Sequence, residues 1–280
     1  MSDLPERLVL TDLGDHRYQV HQPSESAEGR DVVFSGQLLA QMIMAADREA
    51  EGTKDVRSVH SVFARAGTYT KPIELQVDPM HAGRTWASDT VTATQDGRLL
   101  CRSIILLNSL DPDLMRHDPQ FPKDVPGPEE LSPVSSGMVY PGAEIRPVPG
   151  EVMVGDVPVE MAWHRFPEAV TSPAASQAVL VWATCGNIIA LGMRPHRDRV
   201  NIGEAHRTLS TGVIGHTIHF TDRFDVSEWL LMVTEATKAA TGRVYGEGRV
   251  FTADGSLVAS FHQDSMAKAA EANLDPRRSM

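Results

Sequence analysis

Two segments of this chain carry the same pair of short motifs at nearly the same spacing. GRTW at 83–86 is followed by DGRL at 96–99, and GRVY at 242–245 is followed by DGSL at 254–257. Gly-Arg-x-aromatic followed by Asp-Gly-x-Leu is more specific than the turn residues that unrelated hairpins share. The repeat therefore predicts two copies of one structural unit in tandem.

The first copy reads as a helix followed by an antiparallel meander. Residues 34–50 place apolar side chains at helical spacing, with Ser35 as the expected N-cap. Runs rich in Val, Thr and Ile predict strands at 56–67, 73–80, 85–94 and 98–109. The Asp-Gly pair at 96–97 predicts a tight hairpin between the last two strands.

The second copy repeats this order. Residues 156–170 predict an extended segment, and 174–193 predict a helix that is apolar on nearly every side. Strands are predicted at 210–221, 228–237, 242–252 and 256–265. A helix that is apolar all round must be wrapped by other structure, and the meander that follows it can supply this cover.

Between the two copies lies a proline-rich segment. Nine of the 18 prolines fall within residues 111–149. Because proline fixes φ and removes a backbone donor, this composition favours an extended linker over a third folded unit. The predicted division is an N-terminal unit at 1–110, a linker at 111–155 and a C-terminal unit at 156–280.

Composition excludes several classes of function. The chain has 37 acidic and 26 basic residues, a formal charge of −11, and no run of Lys or Arg, which argues against a nucleic-acid partner. Its two cysteines form neither a disulfide framework nor a zinc spacing, so no metal is expected. No stretch reads as a signal peptide or a membrane span, and we expect a cytoplasmic protein without a membrane partner.

The motifs are similar to those of a known family. FSGQLLAQ, SVHSVFARAG, GRTWASDTVTATQDGRLL and GEGRVFTADGSLVASFHQ resemble segments of the type II acyl-CoA thioesterases. The resemblance covers most of the chain outside the proline-rich segment. It implies an α+β fold, a tandem double hotdog in which two antiparallel sheets each wrap around a long central helix. This agrees with the order of elements predicted above.

The resemblance also implies an activity. It predicts hydrolysis of acyl-CoA to the free acid and CoA by an activated water, without a metal, a cofactor or a covalent intermediate. Hotdog sheets commonly pair edge to edge, so a homodimer or a higher homo-oligomer is expected by analogy.

In that family the water is oriented by an Asp on the second helix, a Ser or Thr before a strand, and a Gln on the last strand. Gln263 stands at the position of the glutamine. Cys185 stands where the Asp belongs, and Val213 stands at the position of the hydroxyl, although Thr211 lies two residues earlier and can substitute if the loop shifts. The resemblance thus carries over only part of the catalytic trio.

Cys185 has two interpretations. As a nucleophile it needs a base that makes the thiolate, and no histidine is placed by spacing to do this. As a small buried residue it lines the acyl pocket. Asn187, about 200° around a continuous helix from Cys185, cannot simply replace the missing carboxylate. It remains a candidate substrate contact.

Further candidates come from the first helix and from histidines in the strands. Gly36 and Gln37 open the first helix, where free N–H groups can hold a thioester carbonyl. His216 and His219 lie three residues apart on one strand and so face opposite sides, which excludes shared metal binding. Of the two, His219 is the stronger candidate catalytic base, and His60 on the equivalent strand of the first half is a candidate substrate contact.

Two other functions stay open at this point. The loss of the Asp and the hydroxyl at Cys185 and Val213 suits a homologue that binds acyl thioesters without hydrolysing them. Alternatively, a hydratase or dehydratase acting on an acyl thioester can use His219 as its base.

Overall fold

The computed structural model describes residues 4–22, 31–134, 142–150, 152–167 and 172–270. Its N-terminal half contains eight helices and strands within those ranges. They are α1 (Leu4–Arg7), β1 (Thr11–Gly14), β2 (Arg17–Val20), α2 (Ser35–Glu49), β3 (Asp55–Phe63), β4 (Ile73–Ala82), β5 (Trp86–Gln95) and β6 (Arg98–Asn108). The helix and the four strands predicted here are confirmed, and the short β1 and β2 are additional.

The C-terminal half repeats this order after two short strands. Its elements are β7 (Glu144–Pro147), β8 (Val152–Val154), β9 (Val157–Arg165), α3 (Pro173–Thr184), α4 (Asn187–Met193), α5 (Ala205–Thr208), β10 (Leu209–Phe220), β11 (Leu230–Ala240), β12 (Arg243–Thr252) and β13 (Leu257–Ala269). The four strands predicted for the second meander are confirmed. The hairpin turn predicted at Asp96-Gly97 is also present, with positive φ at both residues, and Gly255 has a positive φ in the corresponding turn between β12 and β13.

The strands form one continuous antiparallel sheet. Its order is β1, β2, β4, β5, β6, β3, β10, β13, β12, β11, β9, β7, with β8 also paired to β9. The joint between the halves is the β3–β10 pair, where Thr217 lies opposite His60. The predicted double hotdog is confirmed, and its two sheets are fused edge to edge at this joint.

Helices α2 and α3 pack against each other and against one face of the sheet, called here the inner face. Leu39, Met42 and Ile43 of α2 are fully buried there, as are Val59 and Ile218 from the two central strands. Alternate residues of the same strands point to the opposite, outer face. The inner face therefore holds the main hydrophobic core.

The predicted helix at 174–193 is broken. It ends at Thr184, Cys185 has extended backbone angles, and Gly186 has a φ of 96° before α4 begins. A positive φ of this kind is costly for residues other than glycine. The prediction of one straight helix is wrong at this point, and the break places Cys185 and Gly186 in a turn.

The segment Pro173–His196 is 24 residues long and contains an 18-residue window with a mean hydropathy of 1.5, enough by length and composition to cross a membrane. By length and composition, the expectation that no stretch reads as a membrane span is therefore wrong. However, 78% of its most apolar window is buried inside the protein. The core position of α3 accounts for this apolar composition.

The proline-rich segment packs on the outer face of the C-terminal half. Its Phe121, Val125 and Leu131 lie against a second apolar cluster, whose buried members are Trp163, Trp229, Leu231 and Phe251. The Trp229 ring is also covered by the guanidinium groups of Arg146 and Arg165. The segment thus contributes to packing as well as joining the halves, while the predicted boundaries at 110 and 155 stay predictions.

Candidate active site

The first turn of α2 meets the end of α3 at Gly36. A Cβ at this position would lie 2.7 Å from the Trp182 carbonyl oxygen and 3.0 Å from the Cys185 Cβ. The missing side chain therefore allows the close approach of the two helices. The N-cap is Phe34, without a side-chain cap, so the prediction of Ser35 at that position is wrong by one residue. The Ser35 side chain instead hydrogen-bonds with the Cys185 thiol.

Gln263 ties the inner face of β13 to the turn between α3 and α4. Its Oε1 accepts a hydrogen bond from the Gly186 N–H at 3.2 Å, and its Nε2 donates to the Ser265 Oγ at 2.9 Å. The side chain is fully buried. The glutamine predicted from the resemblance thus lies beside Cys185 and the start of α2, held at both ends of its carboxamide.

His216 lies next to Gln263 on the inner face, since the two residues are paired between β10 and β13. The His216 Nε2 is 3.1 Å from the Thr184 Oγ1. Its Nδ1 is buried and has no hydrogen-bond partner among the described residues. Burial lowers the pKa of His216 to about 3, so its imidazole is neutral at physiological pH.

Cys185 is fully buried at the end of α3. Burial raises the pKa of its thiol well above the ordinary value, because an apolar surrounding disfavours the thiolate. A nucleophilic role is therefore not supported, and the geometry agrees with the interpretation of Cys185 as a small buried residue.

Three other predicted site residues lie on α2 and β10. Gln37 follows Gly36 in the first turn of α2, and its buried Nε2 has no hydrogen-bond partner in the described part of the chain. Val213 is buried where β10 bulges between residues 213 and 215. Thr211 is partly exposed and pairs with Ala267, farther along β13 than Gln263.

Asn187 does not lie on a continuous helix with Cys185, contrary to the prediction. It is the first residue of α4, after the turn. The angular separation from Cys185 therefore does not apply. Asn187 as a substrate contact stays a prediction.

His60 and His219 lie on the other side of the sheet from Gln263. Their rings contact each other at 5.2 Å between centroids on the outer face. His216 and His219 do point to opposite faces, as predicted, but it is His216 that faces inward. His219 as a catalytic base and His60 as a substrate contact stay predictions, and a shared site with Gln263 would have to span the sheet.

A groove of about 340 Å³ also lies on the outer face of the C-terminal strands. Polar residues line most of it, among them Glu235, Glu247, Arg249 and His262. The sheet separates it from Gln263. Among the described residues, no group of three or more His, Cys, Asp or Glu side chains is arranged to hold a metal ion.

Comparison with known proteins decides the family. Residues 22–108 match the model for the acyl-CoA thioesterase N-terminal domain, and residues 113–267 match the model for the C-terminal domain. The chain belongs to the acyl-CoA thioesterase family. The resemblance noted from its motifs is thereby confirmed, and membership of the family makes the chain a hydrolase of acyl-CoA thioesters.

Similar proteins cover nearly the whole chain. Acyl-CoA thioesterase 2 of Haemophilus influenzae is 24% identical over 85% of this chain and 88% of its own length. Acyl-coenzyme A thioesterase 8 of Homo sapiens is 24% identical over 84% of this chain and 80% of its own. Among solved structures, the acyl-CoA thioesterase II TesB2 of Mycobacterium marinum superposes with a TM-score of 0.80 at 20% identity, covering 96% of this chain and 100% of its own.

Sequence reasoning missed three members of this thioesterase's buried cluster. Ser265 follows Gln263 by two residues, so strand periodicity alone could have placed both on one face. Thr184 and the inward position of His216 had no such signal, because their contact joins a helix end to a strand far along the chain.

Proposed function

We propose that this thioesterase cleaves acyl-CoA to the free acid and CoA at the cluster formed by the start of α2, the Cys185–Gly186 turn and Gln263, by direct attack of water. The observation that carries the proposal is the Gln263 carboxamide, which is buried and fixed to Gly186 and Ser265. A group held in this way can orient a water without being reorganised during the reaction.

The start of α2 supports a place for the thioester carbonyl. N–H groups in the first turn of a helix have no acceptor within the helix, and the Phe34 N-cap offers no side-chain acceptor. These groups, at the positive end of the helix dipole, stabilise an oxyanion that develops on the carbonyl. Gly36 and Gln37 are thus the substrate-binding residues of the proposal.

Direct attack by water fits the state of Cys185. Its thiol is protonated at physiological pH because burial raises its pKa. An acyl-enzyme at this position would need a thiolate, and the neutral His216 is not an ion-pair partner that would stabilise one. The proposal therefore has no covalent intermediate.

The test is release of CoA thiol from acyl-CoAs with short, medium, long and branched chains. For Gln263→Ala we expect kcat to fall by about 100-fold, as for removal of an orienting hydrogen-bond group. His262→Ala is the matched control, because His262 is the neighbouring residue on β13 but points to the outer face. Equal loss in both variants, or full activity in Gln263→Ala, would place the reaction elsewhere.

We also propose that the enzyme needs no cofactor, is cytoplasmic, and forms a homodimer or a higher homo-oligomer. The support is the sequence composition and the common edge-to-edge pairing of hotdog sheets. We expect the activity to survive dialysis against EDTA. We also expect light scattering to give a mass above the 30.6 kDa of one chain.

A further inference from the structure

The Thr184 hydroxyl determines which nitrogen of His216 carries the hydrogen. A hydroxyl has one proton to donate, and Thr184 Oγ1 donates it to the Val181 carbonyl oxygen at 2.9 Å. Toward the His216 Nε2, 3.1 Å away, the same oxygen can then only accept. This arrangement therefore favours the neutral tautomer with its hydrogen on Nε2, which leaves a lone pair on Nδ1.

The reverse tautomer is disfavoured by two losses. It would place a hydrogen on Nδ1, which is buried and has no acceptor within the described ranges. It would also turn the Thr184 proton toward Nε2 and remove the bond to Val181. Buried N–H donors without an acceptor are rare in proteins, whereas buried acceptors without a donor are more common.

Gln263 lies beside the His216 ring and affects its protonation. It pairs with His216 across the two strands, on the same inner face. Its side chain favours the protonated imidazole and so opposes the effect of burial on the pKa of His216. The carboxamide can therefore orient a water beside the ring.

We propose that His216 is the general base of this thioesterase and accepts the proton of the attacking water at Nδ1, with Thr184 as the residue that holds the required tautomer. The inference rests on the function proposed above. Cys185 stands where the family has an Asp, and His216 takes over the role of base in its place. His216 is the catalytic residue in this proposal, and Thr184 is a positioning residue.

The step balances without any further reactant. The water oxygen bonds to the thioester carbon, its proton moves to Nδ1, and the carbonyl electron pair moves to the oxygen. The tetrahedral intermediate then collapses, the C–S bond breaks with its electron pair on sulfur, and the Nδ1 proton moves to the CoA sulfur. The products are the free acid and CoA, and His216 returns to its neutral form.

Kinetics of substituted enzymes test the base. For His216→Gln we expect kcat to fall by about 100-fold or more with little change in KM, the usual loss on removing a general base. His219→Gln is the matched control, because it removes a histidine from the outer face of the same strand and should leave kcat unchanged. An active, folded His216→Gln enzyme within threefold of wild type would overturn the proposal.

Substitutions of Thr184 give a second test, in which kcat depends on the hydroxyl and not only on the packing of the side chain. Thr184→Val removes the hydroxyl at similar size, so we expect a loss of kcat, and Thr184→Ser should restore it. If Thr184→Val is folded and fully active, the tautomer is not held by this hydroxyl and the proposal is wrong.

The tautomer can be observed directly in the wild-type protein by two-bond 15N–1H correlation of labelled histidines. We expect the Nε2–H pattern for His216, and an Nδ1–H or doubly protonated ring would overturn the proposal even if His216→Gln fails to fold. The proposed function has its own signature of failure. If the proposed function is wrong, the wild-type protein releases no CoA, or the Gln263→Ala variant stays active. If His216→Gln is active while Gln263→Ala is impaired, only the assignment of His216 as the base is refuted.

Discussion

At the scale of single residues, burial determines which groups can react. Cys185 and His216 are both buried within the same cluster, and burial keeps both in their neutral forms. For the thiol this form is unreactive, whereas for the imidazole it is the form that accepts a proton. The same environment therefore has opposite consequences for the two side chains.

The thiol gives the first prediction. Cys185→Ser should retain kcat within about threefold, because a hydroxyl of similar size keeps the packing and no thiolate takes part. Native protein should also resist alkylation of Cys185 by iodoacetamide, as followed by mass spectrometry, and react only after unfolding. Rapid alkylation of native protein together with loss of activity would show that the thiol is accessible and needed.

Asp89 gives the second prediction, which concerns pH. This carboxyl lies on β5 and is 5% exposed. Burial, with the charge of Glu49 as a lesser cause, raises the pKa of Asp89 to about 6 from 3.8. Between these values the folded protein binds more protons than the unfolded chain, so Asp89 makes stability fall as pH rises from about 4 to about 6.

Asp89→Asn should remove this penalty. We expect the free energy of unfolding at pH 7 to rise by about 1–2 kcal/mol, with a smaller gain at pH 5. Urea unfolding at both pH values measures it. Asp78→Asn, which changes an exposed aspartate on the neighbouring strand, is the control and should show neither effect. An equal gain at both pH values in Asp89→Asn would contradict the assignment.

At the scale of elements, the contact between α2 and α3 positions the site. Gly36→Ala would place a Cβ 2.7 Å from backbone of α3, which cannot move away as a flexible side chain can. We expect a loss of about 1–3 kcal/mol in the free energy of unfolding, as for overpacked cores, and a lower kcat. Thermal unfolding and thiol release measure the two effects.

Gly203→Ala is the matched control for this substitution. The atom nearest to a Cβ there is the Asn201 Oδ1 at 3.5 Å, an ordinary contact distance. Little change in stability or activity is expected. If Gly36→Ala behaves like Gly203→Ala, the close packing of the two helices is not needed for the site.

At the scale of the whole molecule, the two halves are joined by more than the proline-rich segment. Gln177 of α3 accepts a hydrogen bond from the Val56 N–H at 3.2 Å and donates to the Val56 carbonyl at 2.7 Å. Arg223 forms a two-point ion pair with Asp55 at 2.7 and 3.0 Å. With the β3–β10 pairing, these contacts connect the C-terminal half to the start of β3.

We therefore predict one cooperative unfolding transition. Gln177→Ala should lower its midpoint by an amount equivalent to about 1–3 kcal/mol, because it leaves buried polar groups of Val56 without partners. Far-UV circular dichroism and tryptophan fluorescence should shift together. Gln76→Ala on β4, outside the joint, is the control. Two separate transitions, with only one shifted by Gln177→Ala, would show that the halves unfold independently.

The sequence by itself determined the repeat, the meander strands and the central helices, because these depend on local patterns and on turn residues such as Asp96-Gly97. It also predicted Gln263 as a site residue, through motifs shared with the thioesterase family. The short strands β1, β2, β7 and β8 escaped prediction, since so few residues carry too little periodicity to be distinguished from loops.

Tertiary structure alone decided the rest of the site. Whether His216 or His219 faces the helices depends on how β10 pairs with β3 and β13. Alternation along one strand shows that the two side chains face opposite sides, but it does not show which of them faces inward. The break at Cys185 and Gly186 accompanies two long-range contacts, the close approach of Gly36 and the hydrogen bond from Gly186 to Gln263. The tautomer of His216 is likewise a property of its contact with Thr184, which forms only when α3 packs on the sheet.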